Sequence, residues 1–323
     1  MSSGGDAGTF SPGTGATLSD GAAPSKMQRW RRPPPSRRPE SAASGPASVG
    51  SGPASVGSGP ESVDSGPESV DSGMRRDELV LWLDDYLAIA DFEDKSLNGL
   101  QVEGRDEVTK VAVAVDATLA TLEQAADMGA DMLITHHGLF WGKVLPIVGP
   151  HRRRVEYLLR HEISLYTCHI PLDAHREVGN NYGIARLLGL DELEDFAFHG
   201  SRTIGVKGRF PTPLSLRDLA DQIERELGEA VLVHAGGPLE IATLGIVSGG
   251  AAGDMVAAAQ EGLDAFLTGE PSHALFAEPF ERGINALFAG HYMTETVGVK
   301  LLARELEQRF GLATEFVLLP TGL

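Results

Sequence analysis

From Met74 to the last residue, strand-length apolar runs alternate with amphipathic stretches of helical period, and this alternation restricts the fold more than any single motif. "RRDELVLWLDDYLAIA" repeats apolar residues at helical spacing, from Leu79 through Trp82, Leu83, Tyr86 and Leu87. "KVAVAVDA" is an apolar run that ends at Asp116. Thr118–Met128 reads as a helix stopped by Gly129, and "DMLIT" is the next strand, which delivers His136. A strand, a helix and a strand within residues 110–136 predict a parallel pair with a right-handed crossover.

The alternation continues with helix "PHRRRVEYLLRHE", strand "ISLYTCH" and helix "NNYGIARLLGL". A second segment opens near Arg202 with strand "RTIGVKGRF", helix "LSLRDLADQIERELG" and strands "AVLVHA" and "EIATLGIVS". Helix "DMVAAAQEG", strand "DAFLTG", a helix from Ala274 to Glu281 and strand "INALFAG" follow. The chain closes with helix "TETVGVKLLARELEQRFG" and strand "ATEFVLL". The expectation is an α/β protein of two layered sub-domains with mixed sheets: residues 74–198 completed by 290–323, and residues 199–289.

Residues 1–73 are a different polymer. Between Ser44 and Asp71 a seven-residue unit recurs as "SGPASVG", "SGPASVG", "SGPESVD" and "SGPESVD". Every copy holds Gly-Pro and a single valine, so it breaks helices and cannot bury a seam; a disordered tail is expected. The preceding "KMQRWRRPPPSRR" reads either as a tether for an anionic partner or as a solvated tail, with Met74 a candidate for the true start.

Charge and cysteine content narrow the function classes. The formal net charge is −18, against a nucleic-acid binder, which needs cations to neutralise phosphates. No apolar run is long enough to span a bilayer, and the first residues lack the apolar segment of a secretory signal. Cys168 is the only cysteine, so no disulfide forms within the chain and a reducing cytoplasm is the expected compartment.

In open α/β sheets, ligands gather beyond the carboxyl ends of the strands. "DMLIT" is followed there by His136 and His137. "ISLYTC" is followed by His169, then by Asp173 and His175 in "HIPLDAH", and "INALFAG" by His291 and Glu295. Residues four apart on a helix share a face, so a helix beginning near Gly290 aims His291 and Glu295 together. Neighbours on a strand point to opposite faces; His136 and His137 serve one site only if the chain bends, as Gly138 permits. Each piece has a plain structural reading: a polar turn, a surface pair, or a loop with Asp173 as a helix cap. Their recurrence at three strand ends favours metal ligands. Imidazole and carboxylate without a cysteine set suit zinc, iron, manganese or nickel. "VSGGAAGD" reads equally as a phosphate cradle or a tight turn. "HRRR", His151 to Arg154, reads as a triphosphate contact or a solvated helix face, and Cys168 as a small buried residue.

"SLNGLQVEG", "LITHHGLFWG", "LYTCHIPLDAHREVGNNYGIARLLG", "FLTGE" and "AGHYMTETVGVKLL" together resemble the GTP cyclohydrolase I type 2 family, also called the NGG-one-interacting-factor-three-like family. The resemblance runs in order over residues 74–323. It implies a two-sub-domain α/β fold, a pair of divalent metal ions per chain and a ring-shaped homohexamer. Carried over residue by residue, it implies His136, His137, Asp173, His291 and Glu295 as the metal ligands. His136 and His291 would share one ion, His137 and Asp173 the other, with Glu295 bridging; His169 and His175 would be catalytic, proton-handling groups or would support the ligands from behind. The implied activity is metal-dependent hydrolysis, in which an ion-activated water attacks the guanine ring of GTP. Two other classes stay open: a hydrolase of another nucleotide or phosphoester, and a non-catalytic metal-delivery or partner-binding regulatory protein. The repeat-rich tail lies outside the resemblance.

Overall fold

The computed structural model describes residues 73–323, so the expected disorder of the tail lies outside the described residues. Two mixed sheets carry the fold. The first has five strands in the order Ala313–Phe316, Lys110–Asp116, Met132–His137, Ser164–Thr167 and Gly99–Val102. The first four run parallel, and Gly99–Val102 pairs antiparallel with Ser164–Thr167.

The period-two alternation of the strands sets up a core on each face of this sheet. Val111 and Val113 pack with Met132 and Ile134 against Leu79 and Leu83 of helix Arg76–Tyr86, and against Val299, Leu302 and Leu306 of helix Thr296–Phe310. Ala112, Ala114 and Leu133 face the other way, onto Leu122 of helix Leu119–Asp127 and Leu158 of helix Gly149–His161. Both faces are therefore covered, as the near-continuous apolar strands require. Truncating a fully buried leucine such as Leu302 to alanine should cost about 2–5 kcal/mol.

The second sheet has six strands in the order Asp191–His199, Arg202–Ser215, Glu240–Ile246, Ala265–Thr268, Asn285–Phe288 and Leu232–Ala235. Glu240–Ile246, Ala265–Thr268 and Asn285–Phe288 are parallel, and the flanking pairs are antiparallel. The two sheets share a device at their strand starts. Asp131 accepts hydrogen bonds from the backbone N–H and hydroxyl of Thr109 and from Lys110 N–H, and Asp264 does the same for Thr243 and Ala242. Each aspartate ties the amino end of its own strand to that of the neighbour.

Several elements depart from the sequence reading, the strand Gly99–Val102 and the short helix Ile170–Ala174 among them, and two others have a clear physical cause. Asp191–His199, "DELEDFAFH", is a strand that the sequence reading lacks, and its hairpin with Arg202–Ser215 straddles residue 199. It is an edge strand on which only Phe196 and Ala197 are buried, so it carries charge in place of an apolar pattern, which also discourages edge-to-edge pairing. The helix expected from Ala274 to Glu281 is broken into a 3-10 turn, His273–Leu275, and a short helix, Glu278–Arg282. Pro279 is the reason: lacking an N–H, it is tolerated in the first turn of a helix and not in its interior.

Candidate metal centre

His136 and His137 end the strand Met132–His137, whose partner strand places Asp116 opposite His137. The strand runs on through both histidines, and their rings stand 4.8 Å apart, centre to centre. No bend at Gly138 brings them together. They meet instead at the Glu295 carboxylate, which spans the strand end: Oε1 lies 3.5 Å from His136 Nε2, and Oε2 lies 3.4 Å from His137 Nε2. Gly138 is required for a different reason, since a Cβ there would collide with the side chains of Gln101 and Thr167.

The third strand end behaves as its spacing predicts. The helical turn His291–Thr294 carries His291 Nε2 to 3.0 Å from Glu295 Oε1, four residues on. Gly290 permits that turn with a φ of +86°. The chain passes close by at "VSGG". A Cβ on Gly249 would strike Glu295 Oε1, and one on Gly250 would reach 3.0 Å from Glu270 Oε1. The amides of this loop serve the protein itself: Ser248 N–H donates to Asn181, Gly249 N–H to Thr294 Oγ1, and Ala251 N–H to Thr268 Oγ1. The glycines thus make room for the carboxylate, and the phosphate-cradle reading loses three of its donors.

Four histidines share one orientation. His136 Nδ1 donates to the carbonyl of Cys168 at 3.1 Å, His137 Nδ1 to Asp116 at 2.9 Å and His169 Nδ1 to Asp94 at 3.0 Å, while His291 Nδ1 faces Glu270 at 3.4 Å. With Nδ1 committed to an oxygen, each ring turns its Nε2 into the site, the arrangement by which proteins present imidazole to a metal ion. His136, His137 and His169 form one group able to hold an ion; His137, His291 and Glu295 form another.

His175 does the opposite. Its Nε2 donates to the carbonyl of Tyr86 at 2.9 Å, its Nδ1 accepts from the N–H groups of Glu177 and Val178, and burial lowers its pKa. Both nitrogens are occupied, which corrects the reading of His175 as a proton-handling group: it is a neutral histidine pinning a loop to the first helix. Asp173 also differs from the implied pairing. Its Oδ2 lies 3.6 Å from His136 Nε2, so it sits with His136 and not with His137. Its Oδ1 accepts from Asn180 at 2.9 Å and Ser248 at 2.7 Å, which fixes the carboxylate.

The electrostatics of the site are those of a cation site. Burial opposes charge on His136, but Asp173 and Glu295 outweigh it and push its pKa up to about 9. The hydrogen bond to Glu295 leads in carrying His291 up to about 9 as well. Burial would raise Glu295, yet His136, His291 and His137 hold it well below the usual carboxylate range. The buried His136 Nε2 and Glu295 Oε2 nevertheless lack any hydrogen-bond partner. Buried polar atoms are rarely left so. Donors around one ion at about 2.1 Å stand roughly 3–3.5 Å apart, so the nitrogen and carboxylate set fits a divalent ion. Cys168, fully buried beside His169, has its thiol pKa pushed up by burial and is no nucleophile.

Asp94, Asp116, Asn180 and Ser248 orient this set; Asn180 and Ser248 lie in stretches singled out for other reasons, Asp94 carries no signal, and Asp116 could have been found. It closes the strand parallel to that of His137, and aligning the two strand ends would have found it.

The chain matches the family described as Duf34/NIF3 (NGG1p interacting factor 3) over residues 74–321. A GTP cyclohydrolase 1 type 2 homolog of Deinococcus radiodurans is 50% identical over 248 residues, covering 77% of this chain and 94% of that protein. One from Pyrococcus abyssi is 43% identical over 251 residues, covering 77% of this chain and all of that protein. Among solved structures, TTHA1606 from Thermus thermophilus superposes with a TM-score of 0.72 at 50% identity, covering 77% of this chain and 100% of its own. Protein ybgI, of unknown function, gives 0.73 at 35% identity with the same coverage. The fold, the ordered motifs and these likenesses agree: the chain belongs to the Duf34/NIF3 family.

Proposed function

We propose that the chain is a metal-dependent hydrolase built on a dinuclear centre, with a nucleotide as substrate. The observation that supports this most is the Glu295 carboxylate, nearly fully buried, flanked by three imidazoles and left with an unpartnered oxygen beside an unpartnered His136 Nε2. On this reading His136, Asp173, His137, His291 and Glu295 would hold two divalent ions, with His136 beside Asp173, His137 beside His291 and Glu295 reaching both groups; zinc, iron, manganese and nickel all suit the donors. Such a pair, when bound, supplies Lewis acidity and a water that ionises near neutral pH. His169 then handles the proton: Asp94 holds its Nδ1–H, so Nε2 can take up or give a proton, and the carboxylate stabilises the imidazolium.

The relatives' names support GTP as substrate and opening of its guanine ring as the reaction, with His169 delivering the proton to the released nitrogen. A second reading, hydrolysis of a nucleotide phosphoester, is favoured by Arg154, a cation without a carboxylate partner among the described residues, which lines the cavity beside His137 and His291. The same family reading carries a hexameric ring, which light scattering would test. Metal-loaded protein incubated with a nucleotide panel, with products weighed by mass spectrometry, separates ring opening from phosphate release. A protein that holds two ions and converts nothing would be a metal carrier or regulator, and the hydrolase reading would fall.

A further inference from the structure

The run His151 to Arg154 opens the helix Gly149–His161, and the helix turns its members into different surroundings. Arg152 pairs with Glu156 at 3.1 Å, and Arg153 is exposed. Arg154 turns towards the metal centre and His151 is buried.

Two cavities meet at Arg154. The inner one, about 360 Å³, is walled by His137, His291, Asp116 and Trp141 and belongs to the metal centre. The outer one, about 460 Å³, shares Arg154 and Trp141 with it and continues past Leu145, Pro146 and Val148 to His151. Each is of the size that small-molecule sites occupy.

Three side chains along this path present groups with spare binding capacity among the described residues. Arg154 makes one long hydrogen bond, 3.4 Å, to the carbonyl of Ala117 and no ion pair among the described residues, in a chain with far more acids than bases. Trp141 is held in place by its Nε1–H donating to Gly138 at 3.0 Å and stands edge-on to His169, so its ring walls both cavities. His151 is nine-tenths buried with its ring against Phe140, and its Nε2 has no hydrogen-bond partner. A guanidinium presents a planar fork of donors matched to phosphate oxygens. Beyond Arg154 at its mouth, the outer compartment is lined by apolar side chains, Trp141 and His151 and is no place for a polyanion.

We propose that this extension of the metal cleft binds a phosphorylated compound carrying a planar ring. Arg154 takes the phosphate at the junction of the cavities, the ring lies in the outer compartment along Trp141, and His151 Nε2 bonds a polar atom on its far edge. The proposal rests on the metal-centre reading only for what lies at the inner end; binding itself requires no turnover. It deepens the second of the two hydrolase readings, because a nucleotide so placed turns its phosphate, not its base, towards His137 and His291.

The test is calorimetric titration of the metal-loaded full chain with inorganic phosphate, guanosine, GMP and GTP. GMP should bind at least tenfold more tightly than phosphate or guanosine, since both ends contribute. Arg154→Ala should keep the wild-type metal content and guanosine binding while weakening GMP by tenfold or more. His151→Phe should weaken GMP and guanosine and leave phosphate alone. Should that variant misfold, Val148→Glu, at a position 62% exposed, tests the same compartment without touching the core. The proposal is overturned if no phosphorylated member of the panel binds, if Arg154→Ala binds GMP as the wild type does, or if Val148→Glu leaves guanosine and GMP unchanged. Ring-opened GTP as the product would overturn the orientation while leaving the hydrolase reading in place. Arg154-dependent binding without any product would sink the hydrolase reading and leave the subsite standing.

Discussion

Replacing Glu295 by glutamine keeps the size of the side chain and removes its charge. A dication about 2 Å from a carboxylate oxygen gains about 17 kcal/mol at an effective dielectric of about 20. Most of that offsets the desolvation of ion and carboxylate. If a tenth survives as net binding, about 1.7 kcal/mol, the loss is about fifteenfold in Kd for each ion. Glu295 offers Oε1 to His136 and His291 and Oε2 to His137, so both ions should weaken together and not in turn. The assay is elemental analysis of Glu295→Gln protein after dialysis against graded chelator, with circular dichroism to show that the fold persists. Loss of one ion with wild-type retention of the other would refute the bridging geometry. Retention of both would refute the site.

Asp173→Asn should chiefly weaken the ion shared with His136, leaving about one ion per chain by the same analysis; loss of the His137 ion would restore the pairing that the resemblance implied. The raised pKa values of His136 and His291 place two protons where metal must bind, so affinity should climb as pH rises from 6.5 to about 9, read by chelator competition; a flat profile would contradict it. The sign reverses for metal-free protein. Histidines with a folded pKa above the unfolded value stabilise fully below about 6.5 and lose that contribution as pH passes about 9, so urea unfolding of the apo chain should show stability falling over that window. His175→Ala should cost about 1–2 kcal/mol in denaturant unfolding while leaving metal content intact. His169→Ala should do the reverse, sparing the fold and reducing turnover by about 10²–10⁴-fold.

The fold was legible where pattern and burial coincide. "KVAVAVDA" and "DMLIT" are apolar because both faces of their sheet are covered, and the strand-end rule then located His136, His137, His169 and His291. It failed where neither condition holds. "DELEDFAFH" is an edge strand with two buried residues, so nothing in it announces a strand. Strand alternation even argued against the doublet, since Met132 and Ile134 face one core and Leu133 the other. What reconciles His136 with His137 is a carboxylate from a helix start more than 150 residues on, which spans the sheet end and meets each ring with a different oxygen. The role of His175 was illegible for a related reason. Its spacing from Asp173 matches a ligand motif, but only the placement of Tyr86 shows that its Nε2 is taken.

That long-range carboxylate also says how the two sheets are joined. His291 follows the strand Asn285–Phe288 of the second sheet, and Glu295 opens the helix Thr296–Phe310, whose Val299, Leu302 and Leu306 sit in the core of the first. His136 and His137 end a strand of the first sheet, and Asp173 is tied by Ser248 to the loop after Glu240–Ile246 of the second. Ligands from both sheets therefore converge on one point. Without metal, that point is held by ion pairs between the carboxylates of Glu295 and Asp173 and the imidazoles of His136 and His291, while His136 Nε2 and Glu295 Oε2 keep no hydrogen-bond partner among the described residues. An ion held by the same donors would clamp the sheets together, and its binding free energy would become folding free energy. On the metal-centre reading, losing the ion should therefore loosen the contact between the two sheets as well as empty the site, and urea unfolding with and without metal would show it.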